Sequence, residues 1–336
     1  MTEGRSTRVM RSRRDMLRAA TAVAGAAAVG AVGGGVTTAA AAAPTVRRPR
    51  GVRQPRRVLS SVGTRLNTFK DASGLVTVSV FSHRGNPAQQ HWIDETVLVG
   101  DGDMIAIGGG ATAAEYPNGA LLTASYPTDD LSGWTVSSKD HIDAQAHELV
   151  SYVIGLKIAG MSRDQLLRSV HVARADSGLA PHPEAEAGLP SSDEYVLVGG
   201  GFRVDWHGGG NLATASFPST ETSWKARSKD HLVSDPANIR VFAIGLRRFL
   251  PVGLVSNSFT RADSGQSPHP AAVASVEPGF ALTGGGAEVH YRGSGNLLWK
   301  LEPATTQTPS YSAAAKDHHV SDPSTITAYA VGIRLN

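Results

Sequence analysis

Lysine, aspartate and histidine recur together at three places, and these residues are the ones in the sequence best suited to chemistry. The triplet Lys-Asp-His is identical in each copy, and its members are Lys139, Asp140, His141, Lys229, Asp230, His231, Lys316, Asp317 and His318. A histidine can act as a general base or a metal ligand, and an aspartate can orient it or bind a metal itself. The triplets are therefore candidates for ligand binding, although no residue can be assigned as catalytic.

The adjacency of the three residues favours a structural role instead. Neighbouring residues on a strand point to opposite faces, so Asp and His of one triplet converge only where a turn or bulge intervenes. We expect a strand end or turn in which Asp caps backbone amides and Lys and His pack or pair locally. No cofactor and no metal is predicted. If the copies shared one axis, however, His141, His231 and His318 could meet as a three-histidine metal site with a fourth position open.

A second polar element, Arg-Ala-Asp-Ser-Gly followed by Pro-His-Pro, occurs twice. It supplies Arg174 and Asp176, and again Arg261 and Asp263. The Gly and Pro content is typical of loops, and loops on a rigid β scaffold often carry binding residues. Turn chemistry and an Arg–Asp pair are the favoured interpretation, with ligand binding as the alternative.

The triplets belong to a unit of about 88 residues that occurs three times in tandem. Glycine triplets occupy 108–110, 199–201 and 284–286, and an aromatic residue lies five positions before each lysine, at Trp134, Trp224 and Tyr311. These rings are expected to pack over the glycines, or alternatively to form an aromatic platform for a ligand. Period-two apolar runs bounded by turn residues predict strands, and therefore an all-β fold.

The repeats are placed at 66–158, 159–248 and 249–336. Each is long enough for a small β-sandwich, so three tandem sandwich-like modules in a row are the preferred architecture. A single β body with pseudo-threefold symmetry is the alternative. Only the stretch from Ser162 to Arg168 indicates a helical turn, at the junction of repeats 1 and 2.

Four short motifs characterise the repeats. They are Pro-Gly-Phe-Ala-Leu-Thr-Gly-Gly-Gly-Ala at 278–287, a Ser-x-Pro at 125–127, a Trp, and a closing Tyr-Ala-Val at 329–331. Together they resemble a module of secreted actinobacterial proteins. Those modules close with Y-A-x-C, and the resemblance implies a cell-surface or extracellular β module. Gly155, Gly245 and Gly332 stand at the closing cysteine position, and the chain contains no cysteine. The disulfide that the resemblance implies is therefore absent, and the repeats must rely on core packing and on their neighbours.

The N-terminus predicts export. Ser12-Arg13-Arg14-Asp15-Met16-Leu17-Arg18 precedes an apolar Ala- and Gly-rich stretch, which resembles a twin-arginine signal peptide over residues 1–43. Residues 44–65 are rich in Arg, contain Pro and lack apolar periodicity, so they are expected to form a disordered linker. The mature protein is expected to be extracellular or cell-wall associated, with no transmembrane segment after removal of the leader.

Charge argues against nucleic acid as a partner. From Leu66 onward 19 Lys and Arg stand against 27 Asp and Glu, a net charge of −8, whereas phosphate binding needs a basic face. We expect a non-catalytic secreted protein that binds a glycan, a cell-wall polymer or a protein partner. The alternative is a secreted polysaccharide-active hydrolase or lyase that uses Asp and His of the triplets as acid and base.

Overall fold

The computed structural model describes residues 60–116 and 118–336. The predicted signal peptide and residues 44–59 of the predicted linker lie outside the described residues. The end of that linker differs from the prediction, because Ser60–Val62 and Thr64–Lys70 form strands β1 and β2. Both strands pair with strands of the first repeat, so ordered structure begins before the expected boundary at residue 65.

Each repeat contributes six long strands in the same order. The first repeat contains β3 (Val76–Gln89), β4 (His91–Leu98), β5 (Ile105–Thr112), β6 (Leu121–Pro127), β7 (Gly133–Lys139) and β8 (His147–Ile158). The second contains α1 (Arg163–Arg168), β9 (Val170–Asp176), β10 (Glu184–Gly188), β11 (Tyr195–Asp205), β12 (Leu212–Pro218), β13 (Ser223–Lys229) and β14 (Asn238–Arg247). The third contains β15 (Phe249–Leu250), β16 (Gly253–Asp263), β17 (Ala271–Ser275), β18 (Ala281–His290), β19 (Leu297–Pro303), β20 (Ser310–Lys316) and β21 (Thr325–Leu335).

The strands form three seven-stranded sheets, and every sheet draws on two repeats. The strand orders are β1-β4-β7-β6-β11-β14-β9, β10-β13-β12-β18-β21-β16-β15 and β17-β20-β19-β5-β8-β3-β2. Repeat 1 therefore joins repeat 2 through β6 and β11, repeat 2 joins repeat 3 through β12 and β18, and repeat 3 returns to repeat 1 through β19 and β5. The all-β, sandwich-like class is confirmed. Of the two arrangements left open by the sequence, these sheets describe the closed pseudo-threefold body, in place of the preferred row of modules.

The glycine triplets permit three different close approaches. A side chain on Gly199 would clash with the carbonyl oxygen of Ile107 in repeat 1, and one on Gly201 would clash with the carbonyl oxygen of Ser125. A side chain on Gly200 would overlap the indole ring of Trp224. The triplets at 108–110 and 284–286 lie in the same three environments. The expectation that Trp134, Trp224 and Tyr311 cover the glycines is therefore confirmed.

The glycines at the positions that the resemblance assigns to a cysteine are closely packed. A side chain on Gly155 would approach Met104 and Phe81, while one on Gly332 would meet Phe280. One continuous cluster of buried apolar side chains extends through all three repeats. Shared sheets and a shared core thus supply the stability that a small sandwich otherwise draws from a disulfide.

The helix that the sequence indicated is present and short. Ser162 caps α1, accepting a hydrogen bond from the Gln165 amide while the Gln165 side chain accepts one from the Ser162 amide. This reciprocal pair satisfies two of the free amides at the helix start. In the part of the chain that the structure describes, no helix has the length and apolar character needed to cross a bilayer.

An isolated repeat is predicted not to fold as a monomer. Residues 159–248 alone would leave β11 and β12 without their partners from repeats 1 and 3, and would expose apolar surface along both edges. We expect no cooperative unfolding transition by circular dichroism unless the fragment assembles into a trimer. A monomeric repeat that unfolds cooperatively would contradict the closed arrangement.

Substitution Gly200→Ala is predicted to destabilise the fold by about 1–3 kcal/mol, because the added methyl group overlaps Trp224 in a packed interior. The matched control is Gly178→Ala, where a side chain would meet nothing within 4 Å. Urea unfolding of both variants checks this, and equal stabilities would refute the close-approach role of the glycine.

Candidate functional site

Each triplet lysine is the last residue of a strand, and its side chain contacts the next repeat. Lys139 is the last residue of β7, and its Nζ donates to the carbonyl oxygens of Gly208, Gly209 and Gly210 at 2.8, 2.7 and 3.3 Å. We name the segments 113–116 with 118–120, 206–211 and 291–296 the junction loops, because each receives the lysine of the preceding repeat. Lys229 donates to carbonyls at 293 and 295, and Lys316 to carbonyls at 114, 115 and 119.

The lysines are buried structural groups. All three are at most 1% exposed, and burial lowers the pKa of Lys139 and Lys229 to about 8 and that of Lys316 to about 7. An aromatic ring of the junction loop covers two of them, with Lys139 Nζ 4.1 Å from the Trp206 centroid and Lys229 Nζ 3.6 Å from that of Tyr291. The prediction that the triplet lysines pack locally is therefore wrong, because each of them contacts the neighbouring repeat.

Two of the triplet aspartates cap backbone amides, as expected, whereas Asp230 accepts from a side chain. Asp140 accepts from the Gln145 amide at 2.9 Å, and Asp317 accepts from the Asp322 amide at 3.0 Å. Asp230 accepts from the Asn211 side chain at 3.0 Å. None of these aspartates is hydrogen-bonded to the histidine of its own triplet among the described residues, so the Asp and His needed for acid and base catalysis diverge.

The three triplet histidines meet. The ring centroids of His141, His231 and His318 lie 5.1 to 5.2 Å apart, and one nitrogen from each ring lies within 4.8 Å of the others. All three side chains are at most 2% exposed. The sequence predicted a three-histidine site only if the repeats shared one axis, and the structure meets this condition. We name this group the axial histidines.

The axial histidines differ in their hydrogen bonds. His141 places Nδ1 2.5 Å from the Gly209 carbonyl oxygen and Nε2 2.5 Å from that of His231. His231 places Nδ1 2.5 Å from the Ser294 carbonyl oxygen and Nε2 2.7 Å from that of His318. Neither nitrogen of His318 has a hydrogen-bond partner among the described residues.

Burial is the main cause that lowers the pKa of every axial histidine, and it lowers the pKa of His318 to about 3. The neighbouring imidazoles and lysines act in the same direction on His318. A charged imidazolium is disfavoured in such surroundings. The axial histidines are therefore neutral at physiological pH.

A leucine trio was missed by the sequence reasoning. Leu121, Leu212 and Leu297 start β6, β12 and β19 and form a separate buried cluster. The pair Gly-Asn that precedes Leu212 and Leu297 was the available signal, since it repeats in the same register. The trio contributes an apolar contact between the repeats.

Trp134, Trp224 and Tyr311 cannot form a ligand platform, because they are 0–1% exposed. The accessible rings lie in the junction loops instead. Tyr116 is 69% exposed, whereas Trp206 and Tyr291 are partly exposed.

A histidine of the preceding repeat lies beside two of these rings, Trp206 and Tyr116. Backbone hydrogen bonds establish the equivalence of His91, His182 and His269, because the residue before each one accepts from a triplet aspartate amide. The ring centroids of His91 and Trp206 are 5.7 Å apart, and those of His269 and Tyr116 are 5.1 Å apart. His182 is the equivalent residue of repeat 2 and is exposed. We name these three places the junction sites.

A carboxylate orients the histidine at two junction sites. His91 Nε2 donates to Asp140 Oδ1 at 2.7 Å, and His269 Nδ1 donates to Glu115 Oε1 at 2.8 Å. Each contact fixes the ring and leaves its second nitrogen for a ligand. The result is an aromatic face beside an oriented polar group.

The Arg-Ala-Asp elements lie on strands, where loops were expected. Arg174 and Asp176 belong to β9, while Arg261 and Asp263 belong to β16. Arg174 pairs with Asp129 at 2.7 Å and Asp176 with Arg240 at 2.7 Å. Asp263 accepts from the Thr327 hydroxyl at 2.5 Å. The expected pair of Arg and Asp within one element is therefore replaced by pairs with other segments.

No protein-family model matches the chain, and no curated protein sequence matches it either. The resemblance to the secreted actinobacterial module therefore stays a prediction.

Substitution Lys229→Met is predicted to lower the free energy of unfolding by about 2–4 kcal/mol, because it leaves buried loop carbonyls without a donor. Lys225→Met on the same strand is the control, since Lys225 forms only partly exposed ion pairs with Glu184 and Glu186 and should cost less than about 1 kcal/mol. Denaturant unfolding measures both, and a smaller effect at Lys229 would contradict the docking role.

Stability is predicted to fall as the pH decreases below about 6.5. The unfolded chain protonates its histidines near the ordinary value of 6.5, whereas His318 in the fold resists protonation until about pH 3. The unfolded state therefore binds more protons in this window, at a limiting slope of about 1.4 kcal/mol per pH unit for each histidine.

Urea unfolding of wild type and His318→Gln between pH 7 and 4, with a chelator present, tests this pH dependence. The variant should show the shallower loss of stability, and parallel curves would exclude His318 as a contributor.

Proposed function

We propose that the protein is a secreted, non-catalytic binding protein whose three junction sites bind a glycan or cell-wall polymer. The observation that carries this proposal is an accessible aromatic ring beside a histidine from the preceding repeat at two junctions, with the equivalent exposed histidine, His182, at the third. An aromatic face packs against the apolar side of a sugar ring, and an oriented polar nitrogen can hydrogen-bond its hydroxyl groups.

The symmetry of the body supports a polymeric ligand. Related sites repeated on one scaffold can engage successive units of a repeating polymer, and each further contact is then intramolecular. Weak individual sites therefore suffice for strong attachment. A repeating ligand gains this advantage, whereas a single small molecule does not.

Burial of the triplets argues against the alternative of a hydrolase or lyase. The axial histidines are at most 2% exposed, and the triplet aspartates are engaged elsewhere. A polysaccharide cannot reach the axial histidines without opening the fold. Binding at the junction loops requires no such opening.

The test compares short and long ligands on the full chain. Cell-wall polysaccharide and its short oligosaccharide fragments are titrated against wild type and against Tyr116→Ala, which alters the most exposed junction ring. We expect the fragments to occupy three sites in wild type and two in the variant, while attachment to the polymer weakens by about tenfold or more.

Phe249→Ala is the matched control, because Phe249 is 70% exposed but lies outside the junction loops. It should leave both measurements unchanged. Equal losses in the two variants, or absence of binding to any wall fraction, would overturn the proposal.

A further inference from the structure

We propose that the axial histidines bind one transition-metal ion per chain, with imidazole nitrogens of His141, His231 and His318 as its ligands. This site is distinct from the three junction sites. It would join the repeats at their common axis.

The contacts of His141 and His231 require more N–H groups than two neutral imidazoles have. His141 and His231 together place four ring nitrogens within 2.5 to 2.7 Å of carbonyl oxygens. A neutral imidazole has only one N–H, so two of the four contacts would bring a nitrogen lone pair against an oxygen lone pair. If the Nδ1 atoms donate to the junction loops, both Nε2 lone pairs face an oxygen. A cation bound by both Nε2 atoms would use these lone pairs and so remove the repulsion.

His318 lacks the hydrogen bonds that a buried imidazole needs. Its imidazole is fully buried, and neither nitrogen has a partner among the described residues. A buried polar side chain without a partner costs free energy, and such groups usually bind an ion or water. The ring of His318 lies 5.1 Å from His141 and 5.2 Å from His231, so all three can serve one ion.

The geometry allows coordination after a small movement. A point equidistant from three atoms at the 4.8 Å limit lies no more than about 2.8 Å from each, whereas zinc–nitrogen bonds are about 2.0–2.1 Å long. Each ring would therefore move inward by at most about 0.7 Å. The carbonyl oxygens of His231 and His318 lie beside the Nε2 atoms and could complete the coordination.

The buried lysines oppose positive charge at the axis, and carboxylates offset this effect in part. Each buried lysine near the axis interacts favourably with a carboxylate, Lys139 with Asp235, Lys229 with Asp322 and Lys316 with Glu115. The residues that follow two of the histidines, Ile142 and Leu232, are about half exposed, so the site lies one residue below the surface. Three imidazoles favour zinc, copper, nickel, cobalt or iron over magnesium or calcium.

The test measures metal on the full chain. Protein stripped with a chelator is incubated separately with Zn²⁺, Co²⁺, Ni²⁺ and Cu²⁺ and desalted. We expect about one equivalent of at least one metal to be retained, and a higher melting temperature in its presence. Retention below about 0.1 equivalent for every metal, or a stoichiometry near three, would overturn the proposal.

Two variants assign the metal to the axis. His318→Gln should weaken binding by more than the roughly 10–100-fold that loss of an outer-shell partner costs. His290→Gln, at an exposed histidine of the same repeat, should retain the wild-type stoichiometry. Equal retention by a folded His318→Gln protein, or equal loss in both variants, would refute the assignment.

If His318→Gln does not fold, X-ray absorption spectroscopy of the metal-loaded wild-type protein identifies the ligands instead. Three imidazole nitrogens at about 2.0–2.1 Å are expected, and fewer than three would overturn the proposal.

Discussion

Backbone pairing between successive repeats is the interaction on which the rest of the structure depends. Each sheet continues from one repeat into the next through a short antiparallel contact, such as Phe202 opposite Ser125. That contact requires an approach that no side chain on Gly201 would allow. Because the third repeat pairs back onto the first, the three contacts close on themselves and leave no repeat free.

Closure explains how the fold persists without cysteine. A lysine from each repeat donates to the loop carbonyls of the next, and removing it would leave buried acceptors without a donor. The same lysines support the rings of Trp206 and Tyr291 from beneath. One set of contacts therefore holds the repeats together and positions the accessible aromatic rings.

The threefold arrangement separates two kinds of place. Features on the axis, such as the axial histidines and the leucine trio, occur once per chain and are buried. Features at the junctions occur three times and are accessible. We therefore propose a single ion for the axis and a repeating polymer for the junctions.

The sequence by itself determined the repeats, the strand-rich class, the turn at each triplet and the packing of Trp134 over its glycine, because all of these follow from local periodicity and residue type. It left a row of modules and ring closure both open, since a pattern of strands is compatible with sheets inside one repeat or shared between two. Only the tertiary structure brought His141, His231 and His318 together, across about 90 residues of chain in each step. It also placed the accessible rings in the junction loops and buried Trp224, because which face of a strand becomes interior depends on the neighbour that covers it.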